Sequence, residues 1–276
     1  MSEPDQTAEA EAEAQSTPYT LMTGSRPPPL VTDFSRKWDI DDTELQVYGS
    51  SIFYMKPDKR YDTEKPYFFN IPVSESWAHK VKQTNVGYTR TRIAISNIRG
   101  HEDHFSLDKH GFQLGQITTG LAYDDFAMTE TVVSRFYEEV KLFLKQNTGA
   151  IDVLPFDFQV RRKDPNLPLG SRGAPGKAQP FAAVHAENDD RVPTDIIFPD
   201  YLGETYNFWP NPKHRFYFVD GQRSDEAWMI KCFDSATADN PSIAQFAPHV
   251  SFSYGEAGDG SLRRESVEVR TFVFYE

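Results

Sequence analysis

Three short polar clusters in the last third of the chain contain residue types that bind metal ions and carboxylates. They are His185-Ala-Glu187, His249 within Ala-Pro-His-Val, and Arg264-Glu-Ser266. Two imidazoles and one carboxylate are the ligand set of a facial-triad Fe(II) centre, which leaves open coordination positions for a cosubstrate and oxygen. An arginine and a hydroxyl beyond the second histidine are what such a centre needs to hold an α-keto acid by its far carboxylate. The three clusters together indicate an oxygenase.

The first cluster has a spacing that suits ligation from a strand. Residues two apart point to the same face of a strand, so His185 and Glu187 would project side by side, about 7 Å apart at their Cα atoms. That separation allows both side chains to reach one metal ion. The same residues also fit a polar loop, because Asn188-Asp-Asp190 follows them, and the pattern alone leaves both interpretations open.

The third cluster begins a predicted strand with two unlike faces. Arg264, Ser266, Glu268 and Arg270 alternate on one face, and valines occupy most of the other. The valine face predicts burial. The polar face either lines a cavity or carries solvent-exposed cross-strand ion pairs, and the sequence leaves both alternatives open.

A second group of metal-ligating residue types lies earlier in the chain. It comprises His101-Glu-Asp-His104, with Asp108 and His110 following. The spacing fits no zinc pattern with cysteine, and the glycine and serine around it are typical of a turn-rich surface loop. We therefore expect no metal site there.

Three further residues that could do chemistry are predicted to have no catalytic role. Cys232 lies in the apolar run of residues 228–233 and is predicted to be a buried core thiol. His79 and His214 have charged, lysine-containing surroundings and are predicted to be exposed. The sequence contains no nucleophile elbow, phosphate-binding glycine loop or dinucleotide fingerprint, so those enzyme classes gain no support.

Composition predicts an acidic cytoplasmic protein. The chain has 276 residues, a net charge of −12 at pH 7 and a single cysteine. The charge argues against nucleic acids and anionic membranes as partners, no stretch approaches the length of a membrane span, and the lone cysteine gives no support to an oxidising compartment. An oligomer gains no support either. We expect a disordered acidic, proline-rich segment at residues 1–35 and a single domain at residues 36–276.

Strand-like patterns dominate the rest of the chain. Aromatic and β-branched runs predict short strands, which lie between residues 46 and 69 and at 90–98, 151–162, 216–218, 228–233, 249–254 and 266–274. Apolar residues at helical spacing predict a helix over residues 129–146, and the Gly/Pro/Lys-rich residues 165–180 predict a mobile loop. The pattern predicts a mainly β fold with flanking helices, of the jelly-roll or β-sandwich class.

Several segments resemble one family. They are Ile98-Arg-Gly-His-Glu-Asp-His-Phe-Ser-Leu-Asp-Lys-His-Gly-Phe112, Thr148-Gly-Ala150, Phe156-Asp157, Arg161-Arg162, Val184-His185, Gly203-Glu-Thr-Tyr206, Asp225-Glu226, Lys231-Cys-Phe-Asp-Ser235, Pro248-His249 and Arg264-Glu-Ser-Val-Glu-Val-Arg270. The resemblance is to the fungal hydroxylase/desaturase family, which includes gibberellin desaturases and relatives of the cephamycin methoxylase subunit. Within the first segment, it favours a structural role for His110.

The resemblance implies a fold and an activity. The implied fold is a double-stranded β-helix, of the jelly-roll or cupin-like kind. The implied activity is the Fe(II)- and 2-oxoglutarate-dependent hydroxylation or desaturation of a small, mostly apolar secondary metabolite. Tyr206, Phe208 and Trp209 are candidates for the pocket that would hold this substrate.

The resemblance also implies roles for the site residues. By position, His185 and His249 fall on the two metal-ligand histidines, and Glu187 stands where family members have an aspartate. Arg264 and Ser266 resemble the Arg-x-Ser pair that grips the 2-oxoglutarate carboxylate in related oxygenases. Arg270, on the same face of the predicted strand, is the alternative gripping residue.

Two departures from the family pattern motivate a second hypothesis. Glu187 is one methylene longer than aspartate, which displaces its carboxylate unless the backbone adjusts. Family members also have a longer segment, with a Trp-Arg-Pro-Leu-like stretch, where this chain has only residues 188–202, so we expect a strand or two of the barrel to be missing or replaced. The alternative function is a catalytically inactive or redox-neutral descendant that binds a pathway intermediate.

Overall fold

The computed structural model describes residues 44–70, 73, 77, 79–162, 190–252 and 265–276. Three of the predicted site residues, His185, Glu187 and Arg264, lie outside the described residues. So do the predicted acidic segment at residues 1–35 and the predicted loop at residues 165–180. His249, Ser266 and Arg270 lie within the described part.

The described part of the chain is mainly β, as predicted. Its strands are β1 (Gln46–Met55), β2 (Tyr67–Phe69), β3 (Tyr88–Asn97), β4 (Phe112–Gln116), β5 (Asp152–Arg162), β6 (Arg191–Ile197), β7 (Leu202–Phe208), β8 (Phe216–Phe218), β9 (Glu226–Ile230) and β10 (Glu265–Phe274). Alternation of side chains explains the strands well: in β3, Ile93 and Ile95 are buried while Arg90 and Arg92 are exposed.

The strands form four small sheets among the described residues. β1 and β3 pair antiparallel and β8 joins β3 in parallel, whereas β6 and β7 pair antiparallel and β2 joins β6 in parallel. β4 pairs with β9 and β5 with β10, both antiparallel. The first sheet supplies much of the core, where Ile52, Tyr54 and Ile95 pack with Phe208 and Phe218.

The predicted helix over residues 129–146 is present, with a π-helical turn inside it. It runs as α2 (Thr129–Thr131), the π turn Val132–Phe136 and α3 (Tyr137–Thr148), and ends at Gly149, whose φ of +71° suits glycine. The short α1 (Leu107–His110) and four 3-10 turns complete the helical content of the described residues. None of these helices is long and apolar enough to cross a membrane.

The β5–β10 sheet has one face covered by this helix and one face turned away from it. Phe158, Val267 and Val269 pack against a helix cluster that includes Val132 and Phe136, each large apolar side chain contributing about 1.5–3 kcal/mol by burial. Residues directly opposite in an antiparallel pair share a face. The register therefore places two pairs, Ser266 with Arg161 and Glu268 with Gln159, together on the other face.

The prediction of a strand over residues 249–254 is wrong for the four of these residues that the structure describes. Residues 249–252 adopt no strand, and the segment instead follows a loop in which Ala247 N donates to Lys231 O at 2.9 Å. Pro248 explains the difference, because proline has no N–H to contribute to a sheet ladder. His249 consequently extends from an irregular segment beside the sheets.

Candidate functional site

His249 lies on the wall of a wide cavity of about 3140 Å³ and exposes its ring to that space. Desolvation by the surrounding protein lowers the pKa of His249, and the Ala247 carbonyl and the Glu268 carboxylate act in the opposite direction. The lowered pKa favours the neutral imidazole at pH 7, which is the form that binds a metal ion. This histidine therefore fits the role of a metal ligand.

The polar face of the β5–β10 sheet lies near His249. Glu268, Arg161 and Arg270 are all close enough to influence its pKa. Arg161 Nη2 lies 2.7 Å from Glu268 Oε2, and the Arg161 side chain is only 16% exposed. The polar face thus lies beside His249, and it carries the cross-strand ion pairs Arg161–Glu268 and Arg270–Asp157, which one of the two alternatives predicted.

Ser266 and Arg270 have different surroundings on this face. Ser266 is half-buried and pairs in register with Arg161. Arg270 Nη1 donates to Asp157 Oδ2 at 3.2 Å, and both of those side chains are about half exposed. Arg161, which had no assigned role in the sequence analysis, is therefore the more buried guanidinium near His249. The available signal was the pair Arg161-Arg162 at the end of the predicted strand.

Cys232 is exposed, so its prediction as a buried core thiol is wrong. The predicted strand stops at Ile230, and beyond it Asp234 and Asp108 hold the Lys231 ammonium. The thiol lies near Arg270 and Glu268, and desolvation raises its pKa. Cys232 is therefore a protonated thiol at neutral pH on the wall of the same cavity.

His214 is largely buried, so its prediction as an exposed histidine is also wrong. Its side chain is 12% exposed, Tyr54 Oη lies 2.8 Å from its Nδ1, and Asp190 Oδ2 lies 3.6 Å from its Nε2. The Asn211 side chain also donates to the Asp190 carboxylate. These contacts fix the start of β6, immediately after the segment that contains His185 and Glu187. His79 is exposed, as predicted.

The second group of histidines has a structural role. Glu102 accepts a bond from Arg99 Nη1 at 3.0 Å, and the buried ring of His110 accepts one from Ser106 N at 3.0 Å. Within the described ranges, no three His, Cys, Asp or Glu side chains come close enough together to hold a metal ion.

A buried ion pair stabilises the neighbouring segment, and the sequence analysis missed it. Arg99 donates to both oxygens of Glu226, at 2.7 and 2.9 Å, and Glu226 is 3% exposed at its side chain. The Arg99 guanidinium lowers the pKa of Glu226 to about 2. Both residues lie at loop ends in the sequence, so only the folded chain shows that they meet.

The predicted pocket aromatics divide between the core and the cavity. Phe208 is fully buried, which excludes it as a pocket residue, and Trp209 packs against the core cluster around Met55. Tyr206 does line the cavity, with Arg191 5.1 Å from the centre of its ring.

Comparisons with known proteins agree on a family. The chain matches the family model described as Oxidoreductase/YMDC permease-like domain over residues 52–189 and 186–274. It is 24% identical over 281 residues to hydroxylase/desaturase efuI of Hormonema carpetanum, covering 74% of this chain and 92% of the relative. It is 22% identical over 283 residues to the Fe(II)/2-oxoglutarate-dependent dioxygenase nvfI of Aspergillus novofumigatus. That alignment covers 82% of this chain and 96% of the relative.

A solved structure gives the fold independently. The iron and alpha-ketoglutarate-dependent endoperoxidase NvfI superposes with a TM-score of 0.67 at 18% sequence identity, covering 83% of this chain and 98% of that one. The two chains therefore share a fold. The family match over most of its length shows that the chain belongs to the Oxidoreductase/YMDC permease-like domain family.

Proposed function

We propose that this protein is an Fe(II)- and 2-oxoglutarate-dependent oxygenase that hydroxylates or desaturates a small, mostly apolar secondary metabolite. The observation that carries the proposal is the position of His249, a neutral imidazole on a cavity wall beside the polar face of β5 and β10. The names of the relatives efuI and nvfI support the same reaction class. Fe(II) with 2-oxoglutarate would activate O2, the oxidant for reactions at C–H bonds.

The proposal gives each site residue a role. His185, Glu187 and His249 hold the metal ion. Arg264 and Ser266 hold the distal carboxylate of 2-oxoglutarate, with Arg270 as the alternative to Arg264. Among the three proposed metal ligands, His249 is the one that the structure describes. It fits this chemistry because its neutral imidazole lines the cavity.

The charges around His249 support the binding of a dianionic cosubstrate. Glu268 is the carboxylate on this face with the greatest influence on His249, and Arg161 pairs with it at 2.7 Å. This pairing neutralises a charge that would otherwise repel a carboxylate ligand. Arg270 adds a second positive charge on the same face, and its pair with Asp157 is open enough to solvent to exchange partners.

We also propose that residues 36–276 form one double-stranded β-helix, shortened around residue 188. The fold shared with NvfI and the antiparallel β5–β10 pair under a helix support the architecture. The alignment with efuI runs over 281 residues yet covers 74% of this 276-residue chain, so the relative has residues that this chain lacks. The family match is itself split into two parts that meet at residues 186–189.

The test is anaerobic addition of Fe(II) and then 2-oxoglutarate to the full chain, followed by absorption spectroscopy. We expect a visible metal-to-ligand charge-transfer band. His249→Ala is expected to abolish the band and Arg264→Ala to weaken it, because one removes a ligand and the other the carboxylate partner. His101→Ala is the matched control and should leave the band unchanged.

The same experiment separates the oxygenase from the alternative of a redox-neutral binding protein. Folded wild-type protein that gives no band would contradict the oxygenase and favour the binding protein. A band that survives in His249→Ala would contradict the assignment of this ligand.

A further inference from the structure

Four large apolar side chains of the β5–β10 sheet are about half exposed, Phe274 at 46% among them, although burial would stabilise each of them. Leu154, Phe156 and Phe272 are 52%, 51% and 55% exposed. The rings of Phe156 and Phe272 stack on one another with their centres 4.7 Å apart. Exposed apolar side chains that cluster in this way mark a binding surface more often than isolated ones do.

A β-bulge places one of these rings on the cavity side. Arg270 pairs with Asp157 and Thr271 pairs with Pro155, so Phe156 is an extra residue with no partner on β10. Phe156 and Asp157 follow one another in sequence and are both exposed, which strict alternation along a strand would not allow. Bulges commonly re-aim a side chain beside an active site, and here the bulge adds an aromatic ring to the exposed face.

The aromatic pair continues the polar face that lies near His249. Arg270 influences the pKa of His249, and Phe272 is two residues further along β10, about 7 Å away. In the other direction along β10, the face continues through Glu268 to Ser266. The face therefore has a polar end and an aromatic end, with the neighbours of His249 between them, and both ends line the same cavity.

We propose that Phe156 and Phe272 form the wall that holds the substrate, by packing against a flat, uncharged, ring-containing part of it. This inference rests on the proposed function, because it places the substrate beside the metal site. Two half-exposed phenyl rings offer on the order of 200 Å² of apolar surface. That area suits a small molecule, whereas a stable protein interface needs about 800 Å² per partner.

The probe for this wall is 6-fluoro-2-naphthol, a small neutral aromatic molecule that can be followed by ¹⁹F NMR. Titration into the full-length protein gives a dissociation constant from the line width. Phe156→Ala and Phe272→Ala are each expected to weaken binding at least tenfold, and Phe156→Leu by less, because leucine keeps the apolar contact without the ring. Trp77→Ala is the matched control, since Trp77 is an aromatic side chain that is 57% exposed and does not line the cavity.

A second measurement places the probe relative to the metal. Protein loaded with paramagnetic Mn(II) should broaden the ¹⁹F signal of the bound probe, and protein loaded with Zn(II) should not. Far-UV circular dichroism on each variant checks that it is folded, which the exposure of both rings leads us to expect.

The possible results distinguish a failure of the proposed wall from a failure of the proposed function. Equal weakening by Trp77→Ala, or unchanged binding in both Phe156→Ala and Phe272→Ala, would overturn the wall. A concentration-dependent dimer that disappears in Phe272→Ala would also overturn it, in favour of a second copy of the chain. If Mn(II) does not bind but probe binding still requires both phenyl rings, the metal site fails while the apolar wall is supported.

Discussion

The surroundings of His249 and the segment from His101 to His110 contain the same residue types in very different states. In the earlier segment, Glu102 is held by Arg99 and His110 by Ser106, so these side chains stabilise local structure. Around His249, the charged partners come from β5 and β10, far away in sequence, and the ring faces a cavity. A dense local cluster of ligand-type residues therefore need not line a cavity, and most of this one does not, whereas His249 and its charged partners from β5 and β10 do.

The largest expected effects come from two substitutions, one in each of these regions, whose results should be opposite. His249→Ala should remove the charge-transfer band while leaving the free energy of unfolding nearly unchanged. His110→Ala should keep the band and lower the free energy of unfolding by about 2 kcal/mol, because Ser106 N loses its buried acceptor. Absorption spectroscopy and urea denaturation on both variants measure the two effects, and the reverse pattern would interchange the roles of the two regions.

A second, smaller effect tests whether the segment beside His101 is held by the buried ion pair. Glu226→Gln should lower the free energy of unfolding by about 2 kcal/mol, because Arg99 loses a charged partner. Asp225→Asn is the control: Asp225 is paired with Arg223 at the surface, so the expected change is under about 1 kcal/mol. Equal losses in the two variants would contradict the buried role of Glu226.

Glu226 also predicts a pH dependence. Its pKa falls from an ordinary value of 4.5 to about 2 in the folded protein, so the folded state binds fewer protons than the unfolded state in that range. The contribution of Glu226 to stability is therefore complete above pH 4.5 and is lost as the pH falls toward 2. Urea denaturation at several pH values should show this loss in the wild type and not in Glu226→Gln.

The smallest effect concerns Cys232 on the cavity wall. Because desolvation raises its pKa, the exposed thiol should react with iodoacetamide more slowly at pH 7 than a free cysteine does. Arg270→Gln should slow the reaction further and Glu268→Gln should speed it up, each by a few fold, since these side chains act on the thiol in opposite directions. Alkylation rates that do not respond to either substitution would place Cys232 away from the polar face.

The sequence correctly predicted the helices and strands whose formation depends on residues close to one another in the chain. The helix at α2–α3 follows from its apolar spacing, and β8 and β10 follow from runs of aromatic or alternating residues. The same approach failed where distant parts of the chain decide the outcome. His214 is buried because Tyr54 and Asp190 meet it in the fold, and Cys232 is exposed because its strand ends early.

The same distinction between local and distant causes applies to the candidate site residues. His249 is predicted as a metal ligand from its type and its place in the family pattern, and the structure shows that it lines the cavity. Arg161 and the ring pair of Phe156 and Phe272 were missed, because their roles depend on which strand lies opposite and on a bulge in its register. No local pattern in the sequence encodes that register.

The pairing of β5 with β10 also has a consequence for how the chain folds during its synthesis. Arg270 and its partner Asp157 are 113 residues apart, and ribosomes add about 5–20 residues per second. β5 therefore waits roughly 6–20 s for its partner, with Leu154 and Phe156 exposed beside an unpaired strand edge. Unpaired edges of this kind template aggregation, so β5 is a segment at which aggregation competes with folding.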